Sequence, residues 1–170
     1  FRREETHTVA NHVVAHLGPR DVSEDPREAG LVHRLDTGTS GVLLIAKERK
    51  TWSALREMFG AHKIQKSYLA LVEGTLSESG VVNEPISRAQ GGRRVRVGIS
   101  RDALEAMTEY VPLHQSASHS LVRCTTNTGR QHQVRAHLAH AGHPILGDSL
   151  YGAQPGHPDG FFLHAESLYF

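Results

Sequence analysis

From Ser67 to Thr126 the chain sets one strand candidate after another, without a helix to carry each return. Ser67–Val72 holds Tyr68, Leu69, Leu71 and Val72. Val81-Val82, a ribbon over Arg94–Ile99, Thr108–Leu113 and Ser120–Thr126 follow. Parallel neighbours need a crossover, usually helical, whereas antiparallel neighbours are joined by short turns. The missing βαβ alternation argues against a doubly wound parallel sheet. It predicts an α+β fold: a single domain with a mixed, largely antiparallel β-sheet flanked by helices.

Three segments repeat apolar residues at helical spacing. Thr8 caps a helix over 9–17, with Val9, Val13 and Leu17 on one face. Thr51–Phe59 repeats Trp52, Leu55 and Phe59, and Gly60 suits its end. Thr128 and Gln131 fit a capping box for a helix from about 130 to 141, with Val134, Leu138 and Ala141 as its stripe. Arg130 then falls in the first turn, where the helix dipole disfavours a cation, so a partner anion is expected beside it. Residues 18–30 read as an exposed loop, and the apolar run at 41–47 as a strand. With 170 residues and no repeat, low-complexity tract or linker, one domain over 1–170 is expected.

Composition excludes some classes. The single Cys124 rules out an internal disulfide framework and fits a reducing compartment. No apolar run is long enough to span a bilayer and no signal-peptide pattern opens the chain, so a cytoplasmic protein without membrane contact is expected. A net charge of +1 says little about partners. Arg88–Arg101, however, contains Arg93, Arg94 and Arg96 and no acid. Edge charges that block aggregation and a phosphate-contacting arm explain that ribbon equally well. Thirteen histidines invite a metal reading, yet His132 and His137 are five apart with no Glu base between them, and His137 and His140 lack a third ligand. No metal site is expected.

His33-Arg34-Leu35-Asp36-Thr37-Gly38-Thr39-Ser40-Gly41 carries the chemistry. It sets a carboxylate on a Gly/Thr/Ser turn beside an arginine, ahead of an apolar anchor. Asp36-Thr37-Gly38 resembles the active-site turn of aspartic proteases, and Pro144–Asp148 resembles their later apolar-apolar-Gly element. Only one such turn is present, so a shared-proton dyad needs a homodimer. Arg34 opposes a shared proton, and the helix near 130–141 does not suit that nearly all-strand fold. A homodimeric aspartic protease is the alternative reading.

The whole of His33–Lys47 resembles the signature of the RluA-type pseudouridine synthases. Lys66-Ser67-Tyr68-Leu69-Ala70 is similar to that family's Lys-x-Tyr-x-Ala strand, and Ala106-Met107-Thr108 to its Ala-x-Thr. Thr128–His137 resembles Thr-Gly-Arg-x-His-Gln-Ile-Arg-x-His. Gly142–Asp148, Tyr151-Gly152 and Leu163-His164-Ala165 follow in the family's order. Gln131 and Gly38 fill variable slots. The resemblance implies a catalytic domain over 1–170 without the usual first strand and C-terminal tail, and without an S4-like domain. It implies a monomer that isomerises uridine in ribosomal or transfer RNA without a cofactor.

By the same resemblance Asp36 is the catalytic carboxylate, Arg130 its ion-pair partner and Tyr68 the ring that stacks on the target uracil. Leu163 is an apolar pocket wall, and Arg34 fills the space that the target base vacates. His132, Gln133 and Arg135 contact RNA or brace the helix; Arg93, Arg94 and Arg96 contact phosphates. The joint presence of Asp36, Tyr68 and Arg130 disfavours a catalytically dead RNA-binding module.

Overall fold

The computed structural model describes residues 7–19, 21–89, 94–152 and 160–170. Its elements fall into two compact units. The first holds the described part of Phe1–Leu35 with Leu43–Lys63; the second holds Asp36–Val42 and the described part of Ile64–Phe170.

In the first unit, α1 (Val9–Leu17) starts at Thr8, whose hydroxyl accepts from the Asn11 amide while the Asn11 side chain accepts from the Thr8 amide. α2 (Arg49–Gly60) buries Trp52 and Leu55 against Val22, Val32 and Ala46. The Trp52 indole donates to the Leu31 carbonyl at 3.1 Å. The apolar run expected as a strand over 41–47 does not form one. Only Ser40–Gly41 is strand (β1), and Ile45 makes a single bridge to Leu31. The reason lies in its partners. The Leu44 amide donates to the His33 ring and the Ala46 amide to the Gly30 carbonyl, so neighbouring loop groups satisfy the backbone.

The second unit is built on a six-stranded sheet. Its strands are β1, β2 (Gln65–Glu73), β3 (Gly80–Val82), β6 (Thr108–Gln115), β7 (His119–Thr126) and β8 (Leu163–Tyr169). They lie in the order β1-β8-β2-β7-β6-β3. β1 runs parallel to β8 and every other pair is antiparallel, so the sheet is mixed and largely antiparallel, and the fold is α+β as expected. β4 (Ile86–Arg88) and β5 (Val95–Val97) form a separate ribbon carrying the arginines. β8 was not anticipated, although Leu163 and Ala165 alternate inward as a strand requires.

Alternation on β2 and β7 builds the core. Ala70, Val72, Val122 and Cys124 point to one side, where Val134 and Leu138 of α3 (Gln133–His140), Ile145 and Leu163 meet them. Ile145 bridges to Val72, and the Leu146 amide donates to the Leu71 carbonyl. The sheet thus fixes the segment that leads into Asp148. Burial pushes the Cys124 thiol up to about 12, which keeps it protonated and inert.

α3 begins three residues later than the sequence suggests. The expected capping box fails because the Thr128 hydroxyl donates to the Gln133 side chain instead, and His132 takes the cap position in the left-handed region (φ +53°). Arg130 therefore lies ahead of the helix, where the dipole does not call for an anion beside it.

Candidate active site

Asp36 sits on a reverse turn closed by the Thr39 amide donating to its carbonyl at 2.9 Å. Gly38 holds the third position with φ +94°, the conformation that a type II turn demands and that side chains resist. Past the turn, Ser40-Gly41 pairs with His164-Ala165. A Cβ on Gly41 would lie 2.1 Å from the Ala165 carbonyl oxygen, and its φ is +111°. Only glycine lets β1 lie this close to β8, and that contact ties the Asp36 turn to the sheet.

Arg135, on the first turn of α3, supplies the counter-charge. Its Nη1 donates to Asp36 Oδ2 at 3.4 Å. Its Nε and Nη2 donate to the two carboxylate oxygens of Asp148 at 2.6 and 2.9 Å. This fork aims the guanidinium, and the Phe161 ring supports it with the guanidinium carbon 4.2 Å from its centroid. Asp148 is almost fully enclosed. A turn at Gly147 places it there: φ is +82°, and a Cβ would lie 2.4 Å from the Gly160 carbonyl oxygen. Burial opposes the charge on Arg135, but the Asp148 and Asp36 carboxylates outweigh it and raise its pKa above the ordinary value.

His132 approaches the same carboxylate, with Nε2 4.0 Å from Asp36 Oδ2. Its Nδ1 is 3.0 Å from the Tyr151 hydroxyl, which accepts from the Val95 amide at 3.0 Å. Tyr68 comes from β2, where the pairing with β8 shifts register between Ser67 and Tyr68. Such an irregularity re-aims a side chain without breaking the sheet. Burial pushes the Tyr68 phenol up to about 12, with the Asp36 charge adding to the shift. At neutral pH Tyr68 is therefore an uncharged ring with an O–H. Burial also brings the Lys66 ammonium down to about 8, helped by the charge of Arg130, while its Nζ donates to the Asn127 carbonyl at 3.0 Å.

The arrangement joins a carboxylate with a fixed cation and a phenol close enough to feel the carboxylate's charge. Among the described residues no three His, Cys, Asp or Glu side chains gather as a metal ion would need.

The sequence model of the family described as RNA pseudouridylate synthase matches residues 9–140. The chain belongs to the RNA pseudouridylate synthase family. It is 40% identical over 132 residues to ribosomal large subunit pseudouridine synthase D of Xylella fastidiosa, covering 78% of this chain and 40% of that protein. It is 37% identical over 153 residues to the protein of the same name from Yersinia pestis, covering 90% and 46%. The chain thus spans less than half the length of these curated relatives. Among solved structures it is similar to human RNA pseudouridylate synthase domain containing 1. There the TM-score is 0.74 and the identity 30%, over 81% of this chain and 62% of that one.

Within this family domain the expected residues fall as follows. Asp36, Tyr68 and Leu163 lie in one unit, Tyr68 packs against the core to which Leu163 belongs, and the Asp36 charge reaches the Tyr68 phenol. The expected ion pair between Arg130 and Asp36 does not form here. The Arg130 Nε donates to the Glu105 carbonyl at 2.9 Å, and Arg135 takes the place beside Asp36 because the helix starts late and presents it. Arg135 lies buried between two carboxylates, the arrangement of a group that braces the helix against the Asp36 turn. Gln133 is enclosed as well. It is 4% exposed, with its amide nitrogen bonded to Met107, Thr108 and Thr126 and its oxygen to Thr128 and Arg130. His132 turns toward Asp36 and Tyr151.

Arg34 is exposed in the first unit, and Arg94 and Arg96 are exposed on the ribbon. Arg93 lies outside the described residues. Sequence reasoning gave no role to Asp148, Tyr151 or Phe161. The Gly147-Asp148 pair and Tyr151 did stand in the matched motifs, and that placement was the available signal.

Proposed function

We propose that this chain isomerises uridine to pseudouridine in RNA, with Asp36 as the catalytic carboxylate. The reaction breaks the bond from uracil N1 to ribose C1′, turns the base, joins C5 to C1′, and moves the C5 proton so that N1 ends protonated. Atoms balance without an oxidant or reductant. What the protein must provide is an ionised carboxylate and a pocket that retains the detached base. The observation that carries this reading is the Asp36 carboxylate fixed 3.4 Å from the Arg135 guanidinium inside a domain of this family. The uncharged Tyr68 ring gives the base a surface to stack on. A fixed cation beside Asp36 also works against the shared proton that the protease alternative requires.

The target nucleotide must first leave its stack, which costs a few kcal/mol. The exposed Arg34 is the residue placed in the signature to fill the gap. Both relatives described above are named for the large ribosomal subunit, so its RNA is the substrate we propose.

The test is to incubate wild-type protein and Asp36→Asn with large-subunit ribosomal RNA transcripts and map pseudouridine by carbodiimide adducts. Wild type forms pseudouridine. Asp36→Asn forms none, while still binding RNA and unfolding at the wild-type temperature. Turnover retained by Asp36→Asn would remove that residue from the mechanism.

A further inference from the structure

Tyr151 is a buried phenol that neither the catalytic assignment nor the core requires to carry a hydroxyl. Its oxygen has two partners at 3.0 Å, the Val95 amide and His132 Nδ1. The amide can only donate, so Tyr151 Oη accepts from it. The hydroxyl proton is then free to point at Nδ1, and in that arrangement the ring nitrogen accepts it. A neutral His132 ring therefore carries its proton on Nε2, the nitrogen 4.0 Å from Asp36 Oδ2. Burial holds the Tyr151 phenol above its ordinary range, which keeps that proton in place.

Two further features fix the ring. The guanidinium carbon of Arg135 stands 5.3 Å from the Tyr151 centroid and that of Arg94 stands 5.4 Å away. The His132 ring meets Tyr151 edge-on, at 88° and 5.8 Å between centroids. His132 itself sits at φ +53°, a backbone conformation costly for a residue with a side chain and characteristic of functional sites.

We infer that Tyr151 is a positioning residue, which sets the tautomer of His132 so that an N–H faces the Asp36 carboxylate. A directed chain of donors then runs from the Val95 backbone on the arginine ribbon through Tyr151 and His132 to Asp36. The Nε2–H is too far to bond Asp36 directly; it spans the gap through a water or closes on it when substrate binds. Asp36 is thereby approached by two donors, the Arg135 guanidinium and the His132 ring. The inference rests on Asp36 being the catalytic carboxylate.

Tyr151→Phe removes the hydroxyl and keeps a ring within reach of the two arginines. His132→Asn keeps an oxygen where Nδ1 lies, deletes the Nε2 donor and suits the left-handed backbone, which asparagine tolerates. Two measurements decide the matter. The first is the ¹⁵N spectrum of the His132 ring in free protein at a pH where the ring is neutral. Wild type gives the Nε2–H tautomer, and Tyr151→Phe gives a mixture or the Nδ1–H form. An Nδ1–H tautomer in wild type, or a spectrum unmoved by Tyr151→Phe, overturns the assignment.

The second is turnover on RNA. Each variant loses about 10²-fold in kcat, the scale of a small misplacement at a reacting centre. KM is unchanged, and the double variant loses no more than either single one because both act on one donor chain. A kcat equal to wild type, or losses that multiply, overturns the inference. Wild-type protein inactive on every RNA tried would refute the proposed function, and the ¹⁵N spectrum would still decide the tautomer.

Discussion

Asp148→Asn is the sharpest test of how the site is held. Asp148 accepts two hydrogen bonds from Arg135, at 2.6 and 2.9 Å, and a third from the Leu150 amide at 3.3 Å. Its side chain is 1% exposed and that of Arg135 is 7% exposed. Asparagine keeps one acceptor and turns an NH₂ toward a guanidinium that can only donate. Removing one partner of a buried ion pair costs about 3–5 kcal/mol, because the other charge stays buried. Asp36 still faces Arg135 at 3.4 Å, so the expected loss is at the lower end, about 3 kcal/mol.

At about 2–4 °C per kcal/mol for a chain of this size, the melting temperature falls by about 6–12 °C. Thermal unfolding followed by far-ultraviolet circular dichroism measures it, alongside pseudouridine formation below the transition. The paired replacement Arg135→Met with Asp148→Leu removes both charges, and such swaps are often neutral or better for stability. It should recover most of the lost melting temperature and none of the activity, since Asp36 then has no counter-charge. A single Asp148→Asn variant that melts within about 2 °C of wild type would refute the view that this pair is buried and mutually dependent.

Replacing Arg94 and Arg96 by Ala weakens RNA binding and lowers the slope of log affinity against log salt by about 0.7–0.9 for each phosphate no longer neutralised; filter binding across a salt series checks this, and an unchanged slope leaves the ribbon as an ordinary charged edge. His137 gives a pH signature. It is fully enclosed, with its ring nitrogens bonded to Thr108 and to the Glu84 carbonyl, and burial brings it from 6.5 down to about 4. The unfolded chain takes up that proton first as pH falls, so the neutral ring's stabilisation is complete above pH 6.5 and is lost progressively down to pH 4. Urea midpoints between about pH 7 and 4 should fall less steeply for His137→Gln than for wild type, and equal slopes would contradict the shift.

Local rules carried far where neighbours in sequence decide the structure. The Thr8 cap and the spacing of Val9, Val13 and Leu17 mark α1 as found, because a cap and a helical stripe join residues within about four positions of each other. The spans of β2 and β7 were legible as well, since aromatic and β-branched residues gather in both. Legibility failed where a group outside the local motif competes for a backbone or side-chain partner. The 41–47 run reads as a strand by propensity, yet His33 and Gly30 claim its amides. Thr128 reads as a helix cap, yet the buried Gln133 claims its hydroxyl.

The same division holds at the site. The sequence alone determined which side chains could do the chemistry: a carboxylate on a glycine turn at Asp36, a tyrosine on a strand at Tyr68, and a cluster of arginines and histidines near 130–137. It could not say which arginine meets the carboxylate. Arg130 and Arg135 are both in the motif, and choosing between them needs the start of α3. That start depends on Gln133 reaching Thr108 and Thr126, residues made adjacent only by the pairing of β6 with β7. Tertiary structure likewise brought in Asp148, Tyr151 and Phe161, because an ion pair 99 residues apart and the groups that aim it depend on through-space distance, which residue order does not encode.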